Sequence, residues 1–363
     1  MKTLVSRTLA IFATLALLAT ACGGSATAPA QPVAATPAAP AAAPAAPAAA
    51  PAASAAAPAS ATLPDPPLAE LRIDYATYAP TSLVLKKQGW VEEAFKGTTI
   101  KWVYSAGSSN ALNFLQGNAV DFGLTAGSAA LLSRANGNPI KAVYIYEQPE
   151  WTALVVAKDS AAKSITDLKG KKIAVQKGTD PFFFLLRTLA GAGLSQADVQ
   201  VVNLPHADGR TALERGQVDA WSGLDPHMAA SELQAGSKLI YRNKDFNTYG
   251  FLNGREEFVK KYPEATKKVI TLYERAKQWV VANPDDAAKV LADEAQIDLA
   301  VAKRELVDRM NFATSGIPGE AHVKVLDAVV PIINAEQLAS AGADPKKAVT
   351  DLIDGSYAKQ VIR

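Results

Sequence analysis

Small polar residues recur in this 363-residue chain at the places where strands give way to helices. Tyr78 follows a first apolar strand, Gly107-Ser108-Ser109-Asn110 a second, and Thr125-Ala126-Gly127-Ser128 a third. Further on, the corresponding places hold Gly178-Thr179-Asp180, then His206, then the run from Trp221 to Asp225. A helix N-terminus offers unpaired N–H groups and a partial positive charge, so it can hold an oxyanion without Arg or Lys. In open α/β sheets, ligands gather beyond the carboxyl ends of the strands, which is where these stretches fall. Ser, Thr and Asn at a helix start are most commonly plain caps. Their occurrence at matching places in two halves of one chain favours a pocket for the set. Carboxylates complicate a pure oxyanion site. Asp180 stands ahead of Pro181, where a helix cap is expected, and Asp180, Asp225 or Glu147 could instead receive a cationic or N–H-bearing group. Trp221, Tyr78 and Phe182 are candidates to cover an apolar portion, while Phe183 and Phe184 are expected in the core.

Other chemistries are poorly served. His206, His227 and His322 lack metal-ligand spacing, and the last two read as exposed helix residues. No Walker loop, dinucleotide-binding Gly-rich loop or nucleophile elbow is present, so no catalytic residue, metal or cofactor is expected. Lys158, Lys163, Lys169, Lys171 and Lys172 form a basic run that reads as solvated surface. The chain has 37 Lys and Arg against 35 Asp and Glu, a balance that argues against broad attraction to nucleic acid.

The elements that must position these residues follow from periodicity. Strands are expected at Leu71–Thr77, Thr99–Ser105, Ala119–Leu124 and Pro139–Tyr146, alternating with helices at Pro80–Phe95, Ser108–Gln116 and Ser128–Ala135. After an apolar strand at Trp151–Ala157 the alternation restarts. Strands at Lys172–Val175, Val199–Asn203, Val218–Trp221 and Lys238–Tyr241 are expected with helices at Pro181–Ala190 and Asp208–Arg215, and a further one capped by Asp225-Pro226. One unit occurs in both series: Ala111-Leu112 leading to Gly117-Asn118-Ala119-Val120-Asp121, and Ala212-Leu213 leading to Gly216-Gln217-Val218-Asp219. It reads as a helix end, a Gly stop and a strand starting at Val-Asp. Two α/β lobes with a cleft between them follow, and such clefts bind small molecules. Beyond Phe251 only helices are expected, at Glu256–Lys261, Pro263–Val281, Asp285–Glu294, Leu299–Phe312 and Glu320–Gln337, the last kinked by Pro331.

The first 22 residues carry Lys2 and Arg7, an apolar run from Leu9 to Ala19, and Cys22, the sole cysteine. The run is too short for a membrane span and reads as a secretory signal. Ala19-Thr20-Ala21-Cys22 resembles a bacterial lipobox, with Ala19 where Leu is usual, which implies lipidation of Cys22. Residues 23–66 are almost only Ala and Pro, a spacer between lipid anchor and folded body. Without Lys2 and Arg7 the mature chain is neutral.

The stretch Leu154-Val155-Val156-Ala157-Lys158-Asp159-Ser160, followed by residues Ile165-Thr166-Asp167-Leu168-Lys169-Gly170 and Lys172-Ile173-Ala174-Val175-Gln176-Lys177-Gly178-Thr179, resembles solute-binding proteins of ABC importers in the nitrate/sulfonate/taurine-binding branch. Gly191-Ala192-Gly193-Leu194, Arg255-Glu256-Glu257-Phe258 and Tyr262-Pro263-Glu264 fit the same branch. The resemblance runs from Leu71 to the C-terminus. It implies the α/β periplasmic-binding-protein fold of type II, with lobe I at 67–150 and 249–363, lobe II at 151–248, and two crossover strands as a hinge. It further implies a monomeric, extracytoplasmic binding protein that takes a small solute (an aliphatic sulfonate, taurine or similar) and hands it to a membrane permease with its ATPase. A carboxylate in the cleft would suit an aminosulfonate or a heterocyclic amine better than a plain alkanesulfonate. A thiamine-pyrimidine precursor, nitrate or bicarbonate as solute, and a ligand sensor, are the alternatives. An enzyme resembling thiamine-pyrimidine synthases would need a cysteine-rich motif that this chain lacks. Labelling with radioactive palmitate should mark the wild-type protein and not Cys22→Ser; absence of label from both would contradict the anchor.

Overall fold

The computed structural model describes residues 64–362. The secretory segment, Cys22 and the spacer up to residue 63 lie outside the described residues. Contacts with the folded body include Asp65, just ahead of the expected boundary at Pro67. Asp65 accepts hydrogen bonds from the N–H groups of Glu264 (3.0 Å) and Ala265 (2.6 Å). Those N–H groups open a long helix whose flanking residue, Tyr262, gives no side-chain cap. Asp65 supplies that cap from across the sequence, satisfying two of the donors every helix start leaves unpaired.

In chain order, β1 (Glu70–Tyr75), α1 (Pro80–Gln88), α2 (Trp90–Ala94), β2 (Thr99–Tyr104), α3 (Ser108–Gln116), β3 (Phe122–Ala126), α4 (Gly127–Ala135) and β4 (Ile140–Pro149) come first. Next are β5 (Leu154–Val156), β6 (Lys172–Val175), α5 (Asp180–Gly191), β7 (Gln200–Asn203), α6 (His206–Glu214), β8 (Ala220–Ser222), α7 (His227–Ala230) and β9 (Lys238–Tyr241). The chain returns through β10 (Gly250–Arg255) to α8 (Glu256–Lys261), α9 (Pro263–Ala282), α10 (Pro284–Ala295), α11 (Leu299–Asp308) and β11 (Met310–Asn311). It closes with α12 (Glu320–Asp327), α13 (Val330–Ala335), α14 (Pro345–Leu352) and α15 (Ala358–Val361).

Three expected helices change shape for local reasons. Pro80–Phe95 is two helices because Gly89 adopts the left-handed conformation (φ 65°) between them. Leu299–Phe312 ends at Asp308, and Met310 and Asn311 pair instead with Pro149 and Gln148 of β4. Glu320–Gln337 breaks just ahead of Pro331, which opens α13. Strands β10 and β11 and helices α14 and α15 were not anticipated from periodicity.

Two sheets result, one of order β11-β4-β10-β3-β1-β2 and one of order β9-β5-β8-β6-β7. We refer to the halves built on them as lobes I and II. Apart from the added β11 the plans are the same: β1 lies parallel to β2 and β3, as β6 does to β7 and β8. In each sheet one antiparallel strand has crossed over from the other half, β10 between β3 and β4 and β5 between β8 and β9. The carboxyl ends of the parallel strands therefore all point toward the lobe junction, and α3, α4, α5 and α6 begin there.

The unit found twice in the sequence does the same work in both lobes, with one correction to its reading. The left-handed residue after α6 is Gly216 (φ 68°), but after α3 it is Asn118 (φ 57°), one place beyond Gly117. Asn is the second-best residue for that position. Asn118 and Ala119 donate to the carbonyls of Leu115 and Phe114, and Gly216 and Gln217 to those of Leu213 and Ala212, the same paired closure of a helix end. The Asp of each unit lies just before its strand and clamps the neighbouring one. Asp121 accepts from the Arg72 N–H (2.9 Å) while its own N–H reaches the Arg72 carbonyl (2.8 Å). Asp219 and Lys172 repeat both bonds, at 2.8 and 2.9 Å. Only the first copy adds arginines, Arg72 and Arg255, at 2.7 and 2.8 Å from one oxygen of Asp121.

The core of lobe I is a continuous cluster around β1, β3, β4, β10 and α9. Lobe II has two smaller clusters on either face of its sheet. Helix α5 joins the lobe I core to one of these clusters: Phe182 and Phe184 pack within lobe II, while Phe183 joins the core of lobe I. Phe182, expected at the pocket wall, is therefore a core residue, and Phe183 is the one that crosses between lobes.

Candidate functional site

The junction between the lobes is built from the strand ends and helix starts singled out above. Asp180 begins α5 and is 1% exposed. One carboxylate oxygen accepts from Ser128 Oγ (2.6 Å) and Thr248 Oγ1 (2.7 Å); the other accepts from Trp151 Nε1 (2.9 Å) and the Thr248 N–H (2.8 Å). Ser128 lies at the start of α4 in lobe I, while Trp151 and Thr248 belong to the two chain segments that cross between the sheets. Ser128 N–H in turn donates to Thr248 Oγ1 at 3.1 Å. The two crossings are also tied to each other, Thr152 N–H donating to Asn247 Oδ1 at 3.0 Å. Asp180 thus does more than cap its helix: it binds both crossings and lobe I to lobe II. Its oxygens are fully occupied by protein.

The opposing edges meet directly. Ser109 Oγ, in the first turn of α3, donates to the carbonyls of Lys177 (3.0 Å) and Gly178 (3.2 Å). Gly178 holds a positive φ of 74°, and a Cβ there would lie 3.1 Å from Ser109 Oγ. Gly107 is left-handed as well (φ 150°), and a Cβ on it would sit 3.3 Å from His206 Nε2. So Gly107 to Ser109 of lobe I rests on Gln176 to Gly178 and His206 of lobe II, with glycines where side chains would hold the lobes apart.

Most of the other expected residues have hydrogen-bond partners within the protein. Ser108 Oγ accepts from the Ala126 N–H (3.0 Å), tying α3 to the end of β3. Thr125 Oγ1 accepts from Asn253 Nδ2 (2.8 Å), and Thr179 Oγ1 donates to the Gln176 carbonyl (2.6 Å). Asn110 is half-buried in the first turn of α3. Tyr78 donates to the Leu124 carbonyl (2.9 Å) and meets Trp151 edge-on, ring centres 5.9 Å apart. Trp221 is a correction: its ring lies in the lobe II core among Val155, Ala174 and Met228, its indole nitrogen under Gly209, and so it covers no cleft. Asp225 is another. Arg309, from just beyond α11, grips both its oxygens at 2.8 and 2.9 Å and also pairs with Glu232. His322 is buried rather than exposed, its Nδ1 accepting from the Gly319 N–H (3.1 Å), and His227 is half-buried.

Several fully buried side chains at this junction keep polar atoms without a protein partner. They include both ring nitrogens of His206, the Tyr146 hydroxyl, and both carboxylate oxygens of Glu147 and of Glu305. Burial pushes the His206 imidazole down to about 3, and the nearby His227 adds to this. Burial pushes the Glu147 carboxyl well above the usual carboxylate range, and pushes Asp74, at the end of β1, up to about 8. Burial of this kind favours the uncharged form of each group until a bound partner supplies the missing charge or hydrogen bonds. The sequence had signalled His206 and Glu147. It gave no sign of Glu305, nor of Arg309, Thr248 or Trp151, whose partners lie far away in the chain. Among the described residues no cluster of three or more His, Cys, Asp or Glu could hold a metal ion, and no helix is long and apolar enough to cross a membrane. A cavity of about 550 Å³ beside Lys171, Gly216 and Asp219 lies at the opposite, amino ends of the lobe II strands, away from these groups.

Two sheets of one plan, two crossings and helix starts facing one another across the junction define a two-lobed solute-binding protein. The chain belongs to the NMT1/THI5-like family, whose model matches residues 78–287. It is 27% identical over 302 residues to a Bacillus subtilis (strain 168) protein provisionally named an aliphatic sulfonates-binding protein, covering 81% of this chain and 89% of that one. Among solved structures it is similar to the alkanesulfonate-binding protein SsuA of Xanthomonas axonopodis pv. citri bound to MOPS, at 27% identity, TM-score 0.71, and coverage of 79% of this chain and 99% of that one. The aliphatic sulphonate binding protein SsuA of Escherichia coli follows at 25% identity, TM-score 0.68, and coverage of 77% and 91%.

The Asp180 network carries a direct consequence for stability. Charge-assisted bonds from four buried donors make Asp180→Ala cost about 3 kcal/mol in urea unfolding, and Ser128→Ala about 1 kcal/mol, since it removes a single donor. A loss below about 0.5 kcal/mol for Asp180→Ala would show that the carboxylate does not hold the junction.

Proposed function

We propose that this protein is the extracytoplasmic substrate-binding component of an ABC importer, capturing a small sulfonate-like or amino-containing solute between its lobes. The observation that carries the reading is the meeting of α3 with the start of α5 and with His206. Helix starts from both lobes and unpartnered buried polar groups converge on one junction. Similarity to sulfonate-binding proteins supports the solute class, and the names of those relatives favour binding over catalysis. Tyr78, Ser108, Ser109, Asn110, Thr125, Ser128, Gly178, Thr179 and His206 form the wall in this reading. Ser109, Ser128 and His206 lie against the opposing lobe, and Asp180 acts behind the wall as a latch.

Mechanism follows from the geometry. A solute that touches both lobes favours the closed arrangement by its differential affinity for that state. The anionic end is held by the N–H groups that open α3. Closure then presents a joined two-lobe surface to a membrane permease and its ATPase, and Cys22 with the Ala/Pro spacer keeps the protein at the membrane. Calorimetric titration against alkanesulfonates, taurine, nitrate, bicarbonate and thiamine-pyrimidine precursors should give a clear binder among the sulfonates. At 100 times its Kd that binder should add about 2.7 kcal/mol to stability. Silence across the panel contradicts the proposed function, and binding confined to a pyrimidine precursor or to nitrate would transfer it to that solute.

A further inference from the structure

Strand β4 runs parallel to β1 and β3, so its carboxyl end, at Glu147, lies on the edge of lobe I that faces lobe II. Glu147 is 0% exposed and both its oxygens lack a protein partner. The Tyr146 hydroxyl beside it is equally buried and equally without partner, and it lies in the field of Glu147. Glu305 of α11 is a second buried carboxylate with both oxygens unpartnered; burial raises its carboxyl most, and the nearby Asp225 and Glu147 add to this.

Two arginines near the junction are already engaged. Arg309 is held by Asp225 and Glu232, and Arg242 pairs with Glu150 at 2.7 Å. Of the three carboxylates that the sequence offers as receivers of a cation, Asp180 is saturated by four donors and Asp225 by Arg309. Glu147 alone keeps open oxygens, and Glu305 doubles it. A buried carboxyl with no partner is costly in either protonation state: the ion lacks a countercharge and the acid lacks an acceptor for its O–H.

We propose that Glu147, backed by Glu305, receives a protonated nitrogen of the solute, and so selects an ammonium-bearing molecule over an anion of the same shape. This rests on the lobe junction being the solute site. The pair 2-aminoethanesulfonate and propane-1-sulfonate tests it, because they differ by an ammonium in place of a methyl group. Titrated into the full chain, the first should bind at least about tenfold more tightly, the discrimination expected of one buried hydrogen bond to a charged group. Glu147→Gln should bring the ratio near one, and Glu147→Asp should keep a preference for the ammonium. Unchanged melting of Glu147→Gln establishes that it folds; should it not fold, the wild-type ratio alone decides. Equal or tighter binding of propane-1-sulfonate by the wild type overturns the assignment and leaves the cleft reading standing. So does a ratio unchanged in folded Glu147→Gln. Silence toward both sulfonates and toward propylammonium overturns the cleft reading itself, and this assignment with it.

Discussion

Asp180 takes four hydrogen bonds from three separate stretches of chain, and the arrangement of the two lobes depends on that one carboxylate. Trp151 and Thr248 belong to the two crossings, Ser128 to the first turn of a lobe I helix, and Asp180 itself to the first turn of a lobe II helix. A carboxylate accepts at both oxygens, so it can gather donors that no hydroxyl or amide could serve together. Placed at a helix start it also suits the partial positive charge there. The bonds to Trp151 and Thr248 stay within the hinge, whereas the bond to Ser128 crosses to the body of lobe I. Opening the lobes can release the second kind and keep the first, which lets one residue both define the pivot and hold the closed state.

Around that pivot one plan is built twice. Each lobe closes a helix with a left-handed residue, buries a Val, and uses the next Asp to clamp the first strand of its sheet. This fixes the register of β1 with β3 and of β6 with β8, and hence the level at which α4 starts and the chain turns after β8. The lobes diverge in what surrounds the Asp. Asp121 gathers two arginines, one of them from the returning strand β10, and so also fastens the C-terminal part of lobe I to its beginning. Asp219 stands exposed with no such addition. The symmetry is a matter of backbone geometry, and the charge chemistry is particular to each side.

Periodicity and turn residues made the elements legible. Helices α3 and α8 and strands β6 and β9 lie where alternation and helical spacing put them, because local rules decide them. The resemblance read from residues 154–179 pointed to the right fold. Side-chain direction was less legible. Trp221 looked like a wall residue because it ends a strand, but the pleat turns it toward Gly209 and the lobe II core. Gly117 looked like the helix stop because Gly is the usual left-handed residue, while Asn118 takes the position. Ser108 and Thr125 also hold backbone and side-chain partners of their own lobe, which their place at a strand end did not reveal. Arg309 and Asp65 act through partners 84 and 199 positions away, and no local pattern announces pairing at that range.

The central claim is that Asp180 keeps the lobes together at the hinge. Pulsed electron-spin distance measurement tests it most directly, with spin labels placed through cysteines at exposed Asn113 of lobe I and exposed Asp208 of lobe II, in a chain whose sole native cysteine is Cys22→Ser. The wild-type residue at 180 should give a short, narrow distribution, and Asp180→Ala should broaden it toward longer distances without loss of secondary structure. Superimposable distributions for the two would contradict the account.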